Sequence, residues 1–182
     1  VLFGRKELFA IEIKQPKISI KFYLRLWFKN RAIGKFKSAG SLDYLIKRYF
    51  TLLSTFNDLY EPTFSRLTDW EIFDNILMYE AKDFSIEDKQ ELFERSKRYD
   101  FSIAENQMNE LSILVLFKGD EEIFKFLIYE MDGEADPKFY SFTIEKSTFF
   151  DSYKSFMVYA FRNGLKKQGL FFPDNYSYDD IK

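Results

Sequence analysis

The chain has 182 residues, 46% of them hydrophobic and 20% aromatic, with a formal net charge of −2. That apolar content can bury a core, so wholesale disorder is excluded, and the length argues for one domain. Cysteine and histidine are both absent, which excludes disulfides, thiol chemistry, Ser-His-Asp or Cys-His centres and histidine metal ligands.

Leu8–Ile13 reads as a first strand, ended by Gln15-Pro16-Lys17 because proline cannot donate to a ladder. The second strand is Ile18–Phe28. Phe22, Leu24, Leu26 and Phe28 occupy one face, while Lys21, Tyr23, Arg25, Trp27 and Lys29 occupy the other. Lys29–Arg31 makes a tight turn with Asn30 at a positive-φ position, and Ala32–Phe36 returns as a third strand. Ser41 caps a helix whose stripe is Leu42, Leu45, Ile46, Tyr49, Leu53 and Phe56. A second helix covers about Asp69–Tyr79. A third, about Ile86–Tyr99, carries so few apolar residues that it should lie on the surface.

Strands resume at Leu111–Lys118 and Glu121–Glu130, joined by a Gly119-Asp120 turn. Asp132–Pro137 is a loop and Phe139–Glu145 another strand. The last helix starts at Ser147 or Thr148, with Thr148 to Asp151 in capping-box spacing, and buries Phe149, Tyr153, Phe156, Met157 and Ala160. The order predicts an α+β fold, an antiparallel sheet of about five to six strands with helices packed on one face. Residues 1–169 form this single domain, and 170–182 are a polar, loosely held tail. No signal-peptide pattern is visible, and no stretch approaches the ~18 apolar residues of a helical membrane span.

Two surfaces stand out. Charge is uneven along the chain: residues 1–50 hold 12 Lys/Arg against 3 Asp/Glu, and the remainder 15 against 26. Within the basic part, Tyr23, Arg25 and Trp27 make a face of cations and aromatics. Such a face serves as a solvated sheet surface, a protein-binding surface rich in hot-spot residue types, or a stacking platform for single-stranded nucleic acid. Within the acidic part, Gly119–Asp136 carries Asp120, Glu121, Glu122, Glu130, Asp132, Glu134 and Asp136 against one lysine. It reads as a solvated hairpin and loop, as a match for a basic partner, or as a metal site, although the spacing of a calcium loop is missing. The candidate partner-binding residues are Tyr23, Arg25, Trp27, Glu121, Glu122, Asp132, Glu134 and Asp136. No dinucleotide, P-loop or nucleophile-elbow motif is present, and no catalytic, cofactor or metal residues are assigned.

"FGRKELFAIEI" (Phe3–Ile13), "LRLWFKNRAIG" (Leu24–Gly34), "EEIFKFLIYE" (Glu121–Glu130) and "FFDSYKSFMVYAF" (Phe149–Phe161) together resemble immunity proteins of bacterial polymorphic-toxin and contact-dependent growth inhibition systems, most nearly immunity family forty-two. The resemblance implies a small cytoplasmic protein without catalysis or cofactor. It would bind the C-terminal domain of a cognate toxin and block its active site or substrate path. Many such toxins are nucleases with basic clefts, which an acidic segment could occupy. A single-stranded nucleic-acid-binding module built on the basic-aromatic strand is the alternative.

Overall fold

Within Lys21–Phe28, the alternation from Tyr23 onward does what period two requires. Leu24, Leu26 and Phe28 are at most 3% exposed, whereas Tyr23, Arg25 and Trp27 on the opposite face are half-buried. In the computed structural model, which describes residues 1–14, 21–34, 36, 39–77, 86–101, 111–131 and 136–163, this segment is β3, the central strand of a five-stranded antiparallel sheet. The path runs β1 (Leu2–Arg5), β2 (Phe9–Ile13), β3, β4 (Arg31–Ile33). β5 (Ala39–Ser41) pairs with the other half of β3, so β4 and β5 share one edge. Lys29 (φ 47°) and Asn30 (φ 69°) both take left-handed backbone, the pattern of a tight two-residue hairpin.

β1 precedes the first strand that periodicity shows. Only Phe3 of its four residues is buried, and Gly4 breaks the alternation, so the pattern there is silent. Gly4 has φ +95°, and a Cβ built on it would lie 2.3 Å from Ser152 Oγ and 2.4 Å from the Phe9 carbonyl oxygen. Glycine is therefore required both by the backbone angle and by the close approach of a helix.

The remaining strands form a second sheet, β6 (Leu111–Lys118), β7 (Ile123–Glu130) and β8 (Lys138–Glu145), in that order and antiparallel. The α+β class holds, but the strands divide between two sheets where one was expected. Hydrophobic alternation reports which face of a strand is buried and is blind to which strands pair. The helices are α1 (Leu42–Thr55), α2 (Asp69–Leu77), α3 (Ile86–Tyr99) and α4 (Lys146–Asn163). They do not share one face. α4 touches β1, β2, β7 and β8 and so joins the two sheets. α2 lies on the opposite face of the second sheet, where Trp70 and Phe73 meet Tyr129 and Phe139. Coverage on both faces explains why β6 and β7 are nearly continuous apolar runs.

The sheets meet through rings. Phe28 of the first sheet lies 4.9 Å from Phe126 and 5.4 Å from Phe142 of the second, and Phe9 lies 6.2 Å from Phe126. Phe149 of α4 closes the group, 5.0 Å from Phe9 and 5.5 Å from Phe126. The α4 stripe is buried as expected. In α1, Leu52 is buried and Leu53 is 38% exposed, the reverse of the expected stripe, because the buried row runs through Leu45, Tyr49 and Leu52 at i, i+4 and i+7.

The start of α4 also differs. It begins at Lys146, whose amide donates to the Glu122 carbonyl (2.9 Å) in the β6–β7 turn, so Thr148 lies inside the helix and does not cap it. A true capping box occurs at α2, where the Thr68 amide donates to Glu71 Oε2 (2.7 Å) and the Glu71 amide to Thr68 Oγ1 (3.3 Å). The expected strand start at Ile18, the helix end at Tyr79, most of the Asp132–Pro137 loop and the 170–182 tail lie outside the described residues.

Candidate functional site

On the outer face of β3, the alternating cations and aromatics converge on one carboxylate. In Phe9–Ile13 the even positions point outward, which sets Glu12 beside Arg25 across the β2–β3 ladder. Arg25 Nε donates to Glu12 Oε2 at 2.8 Å, and Trp27 Nε1 donates to the same oxygen at 2.7 Å. Lys6 Nζ stands 3.9 Å from that oxygen and 3.9 Å from the Trp27 ring centre. The Arg25 guanidinium lies over Trp27 at 4.8 Å and over Phe36 at 4.5 Å. Burial works against charge on Glu12, but the hydrogen bonds from Arg25 and Trp27 and the nearby cations outweigh it and hold its carboxyl below the usual range. The result is a rigid patch whose two cations share a single anion. Tyr23 lies on the same face, half-buried.

The acidic residues do not form one surface. Glu121 and Glu122 sit at the β6–β7 turn, where a 3-10 turn at Gly119–Glu121 and left-handed Glu122 (φ 50°) reverse the chain. Glu121 pairs with Lys118 at 2.7 Å, and Glu122 pairs with Lys146. Asp136 is exposed at the other end of β7, which at about 3.4 Å per residue is roughly 24 Å away. Asp132 and Glu134 lie outside the described residues. β8 runs between these two ends. Glu145 pairs across from Ile123 beside Glu122, and Lys138 follows two residues after Asp136.

Sequence reasoning did not find Lys6 and Glu12 as members of the aromatic patch. The signal was present: a lone outward carboxylate on a strand next to a cationic one. It also did not find Asp69 of α2, which pairs with Lys125 of β7. Burial there opposes ionisation, but hydrogen bonds from Lys125 and Ser141, with the charges of Lys125 and Lys118, hold the Asp69 carboxyl low. Glu71, fully exposed in its capping box, is also held low by hydrogen bonds from Thr68. All three carboxyls that shift among the described residues therefore shift downward, away from what a general acid needs. No group of three or more possible metal ligands occurs among the described residues, and no described helix is long and apolar enough to cross a membrane.

These shifts predict the acid response. A carboxyl held low in the folded state contributes stability at pH values above its unfolded pKa, and that contribution is lost as pH falls through the folded one. Stability should be level from pH 7 to about 5 and fall below about 4, where free carboxyls titrate. Denaturant titrations of Glu12→Gln and Asp69→Asn should show a shallower fall, and a slope unchanged in both variants would contradict the assignment.

No protein-family model matches the chain, and no curated protein matches it by sequence. The resemblance to immunity family forty-two therefore rests on its short motifs. The fold is similar to that in the crystal structure of CdiI from Burkholderia dolosa AUO158, with a TM-score of 0.52 at 9% sequence identity. The match covers 86% of this chain and 98% of that one. At this identity the likeness is one of fold.

Proposed function

We propose that this chain is an immunity protein that binds a cognate bacterial toxin domain and neutralises it by occluding the active site or substrate path. The observation that carries the reading is the fold match to a CdiI, a contact-dependent inhibition immunity protein, which spans nearly the whole of that chain. The motifs in Phe3–Ile13, Leu24–Gly34, Glu121–Glu130 and Phe149–Phe161 point to the same class independently. The protein acts in the cytoplasm, as a binder without catalysis.

Inhibition in this reading is steric, with association hastened by complementary charge. The loop carrying Asp132, Glu134 and Asp136 meets the basic, phosphate-binding cleft of a nuclease-type toxin. Glu121 and Glu122 contribute less, because each is already paired with a lysine. The Tyr23, Arg25 and Trp27 patch serves a second contact. Its rigid indole suits a protein surface better than a base, since Lys6 and Arg25 already lie over the ring and a stacking base would have to displace a cation.

Charge reversal of Asp132, Glu134 and Asp136 together should slow association with the toxin domain at least tenfold and flatten its salt dependence, as measured by stopped-flow at several ionic strengths. An unchanged rate would remove this loop from the interface. Single-stranded DNA or RNA should not bind at low salt. Binding that weakens steeply with added salt would instead favour the nucleic-acid alternative.

A further inference from the structure

The edges of the two sheets are treated unequally. β1 has four residues and is packed by α4, and β4 and β5 have three residues each. β6, the first edge of the second sheet, is extended by the chain itself: the Phe101 amide donates to the Ile113 carbonyl at 2.7 Å, and Asp100 bridges to Leu114. β8 is the exception. It has eight residues, Lys138 to Glu145, with charge only at its ends and Phe139, Tyr140, Phe142, Thr143 and Ile144 between them. No strand pairs with its outer edge among the described residues. A long edge rich in aromatic and β-branched residues is a template for another strand, and proteins ordinarily shield one with lysines, prolines, bulges or a covering segment.

Two cations from the other sheet reach this edge. Arg31 Nη1 donates to Tyr140 Oη at 3.0 Å, with its guanidinium 4.2 Å from the ring centre, and Lys29 Nζ donates to Thr143 Oγ1 at 3.4 Å. Lys29 lies in the β3–β4 turn and Arg31 opens β4. Neither forms an ion pair among the described residues, unlike Arg25 and Lys125, which are paired. Trp70 stands 5.3 Å from Phe139. The edge therefore has a cation at each face, Arg31 at Tyr140 on one and Lys29 at Thr143 on the other, where the Trp70 indole also lies beside Phe139.

We infer that β8 is a strand-addition site and that its occupant is an extended, carboxylate-bearing segment of a protein partner. Main-chain hydrogen bonds along β8 supply affinity, and Lys29 and Arg31 select acidic side chains on the incoming strand. A second copy of this chain is the poorer occupant. A two-fold β8–β8 pairing would bring two sets of Lys29 and Arg31 together with a single β8 carboxylate, Glu145, from each copy. The inference rests on the chain being a binding protein, as proposed above, but not on which protein it binds.

The test uses the intact chain and two eight-residue probe peptides, one alternating Glu and Val and the other Lys and Val. At low salt the acidic peptide should shift the backbone amide resonances of residues 138–145 and slow their hydrogen exchange, and the basic peptide should do neither. Lys29→Glu/Arg31→Glu should reverse that preference. Thr143→Glu, which sets a carboxylate on the edge beside Lys29, should weaken the acidic peptide at least tenfold. Melting temperatures of both variants verify folding. Shifts that avoid residues 138–145, or their absence at millimolar acidic peptide, would overturn the inference. Either result leaves the immunity reading to its own growth test, so the two can fail separately.

Discussion

Phe126→Ala is expected to lower the unfolding free energy by about 3–5 kcal/mol, the range for truncating a fully buried phenylalanine. Phe126 is completely buried, and its ring lies 4.9 to 6.3 Å from those of Phe28, Phe149, Phe101, Phe9 and Phe124. These rings come from both sheets, from α4 and from the segment after α3. The cavity would open where the sheets join, and close-packed rings on all sides resist collapse into it. Urea unfolding followed by fluorescence measures the loss, and Phe93→Ala is the control. Phe93 is 53% exposed on α3, so its truncation should cost no more than about 0.5 kcal/mol. A loss below about 1 kcal/mol for Phe126→Ala would mean that the ring cluster does not hold the sheets together. A transition that split into two steps would mean that the sheets unfold separately.

Gly4→Ala should be nearly as damaging, although it adds a single methyl group. The backbone at φ +95° disfavours any L side chain by about 1–2 kcal/mol. The new Cβ would also meet Ser152 Oγ at 2.3 Å and the Phe9 carbonyl oxygen at 2.4 Å, and forced overpacking of this kind costs about 1–3 kcal/mol more. The serine can turn away, but the Phe9 carbonyl belongs to the β1–β2 hairpin and cannot. Together these predict a loss of about 2–5 kcal/mol, or roughly 4–20 °C in Tm for a chain of this size. Combining the change with Ser152→Ala should recover only part of it, because the carbonyl clash and the backbone angle remain. Full recovery would show that the serine was the whole obstacle.

Local features of the fold could be read from the sequence, and long-range ones could not. The alternation from Tyr23 to Phe28, the Lys29-Asn30 turn, the Gly119-Asp120 reversal and the poorly apolar α3 each depend on neighbours within a few residues, and each is found in the structure. Strand partnership depends on contacts between distant segments. Arg31 and Tyr140 are 109 residues apart in sequence, and Lys29 and Thr143 are 114 apart, so no local period records that the β3–β4 turn packs on β8. The candidate surfaces divide in the same way. That Tyr23, Arg25 and Trp27 share a face followed from their spacing, but that Glu12 and Lys6 fix them in place required the β1–β2–β3 register. The acidic run is continuous in sequence, but β7 separates its two ends by the length of a strand.

The central claim is neutralisation of a toxin, and growth tests it most directly. The C-terminal domain of the protein encoded immediately upstream would be expressed in a bacterial host with and without this chain. The account predicts arrest when the domain is expressed alone, growth when both are present, and co-purification of the two as one complex. Arrest that persists while this chain is well expressed and soluble would contradict the account for that partner.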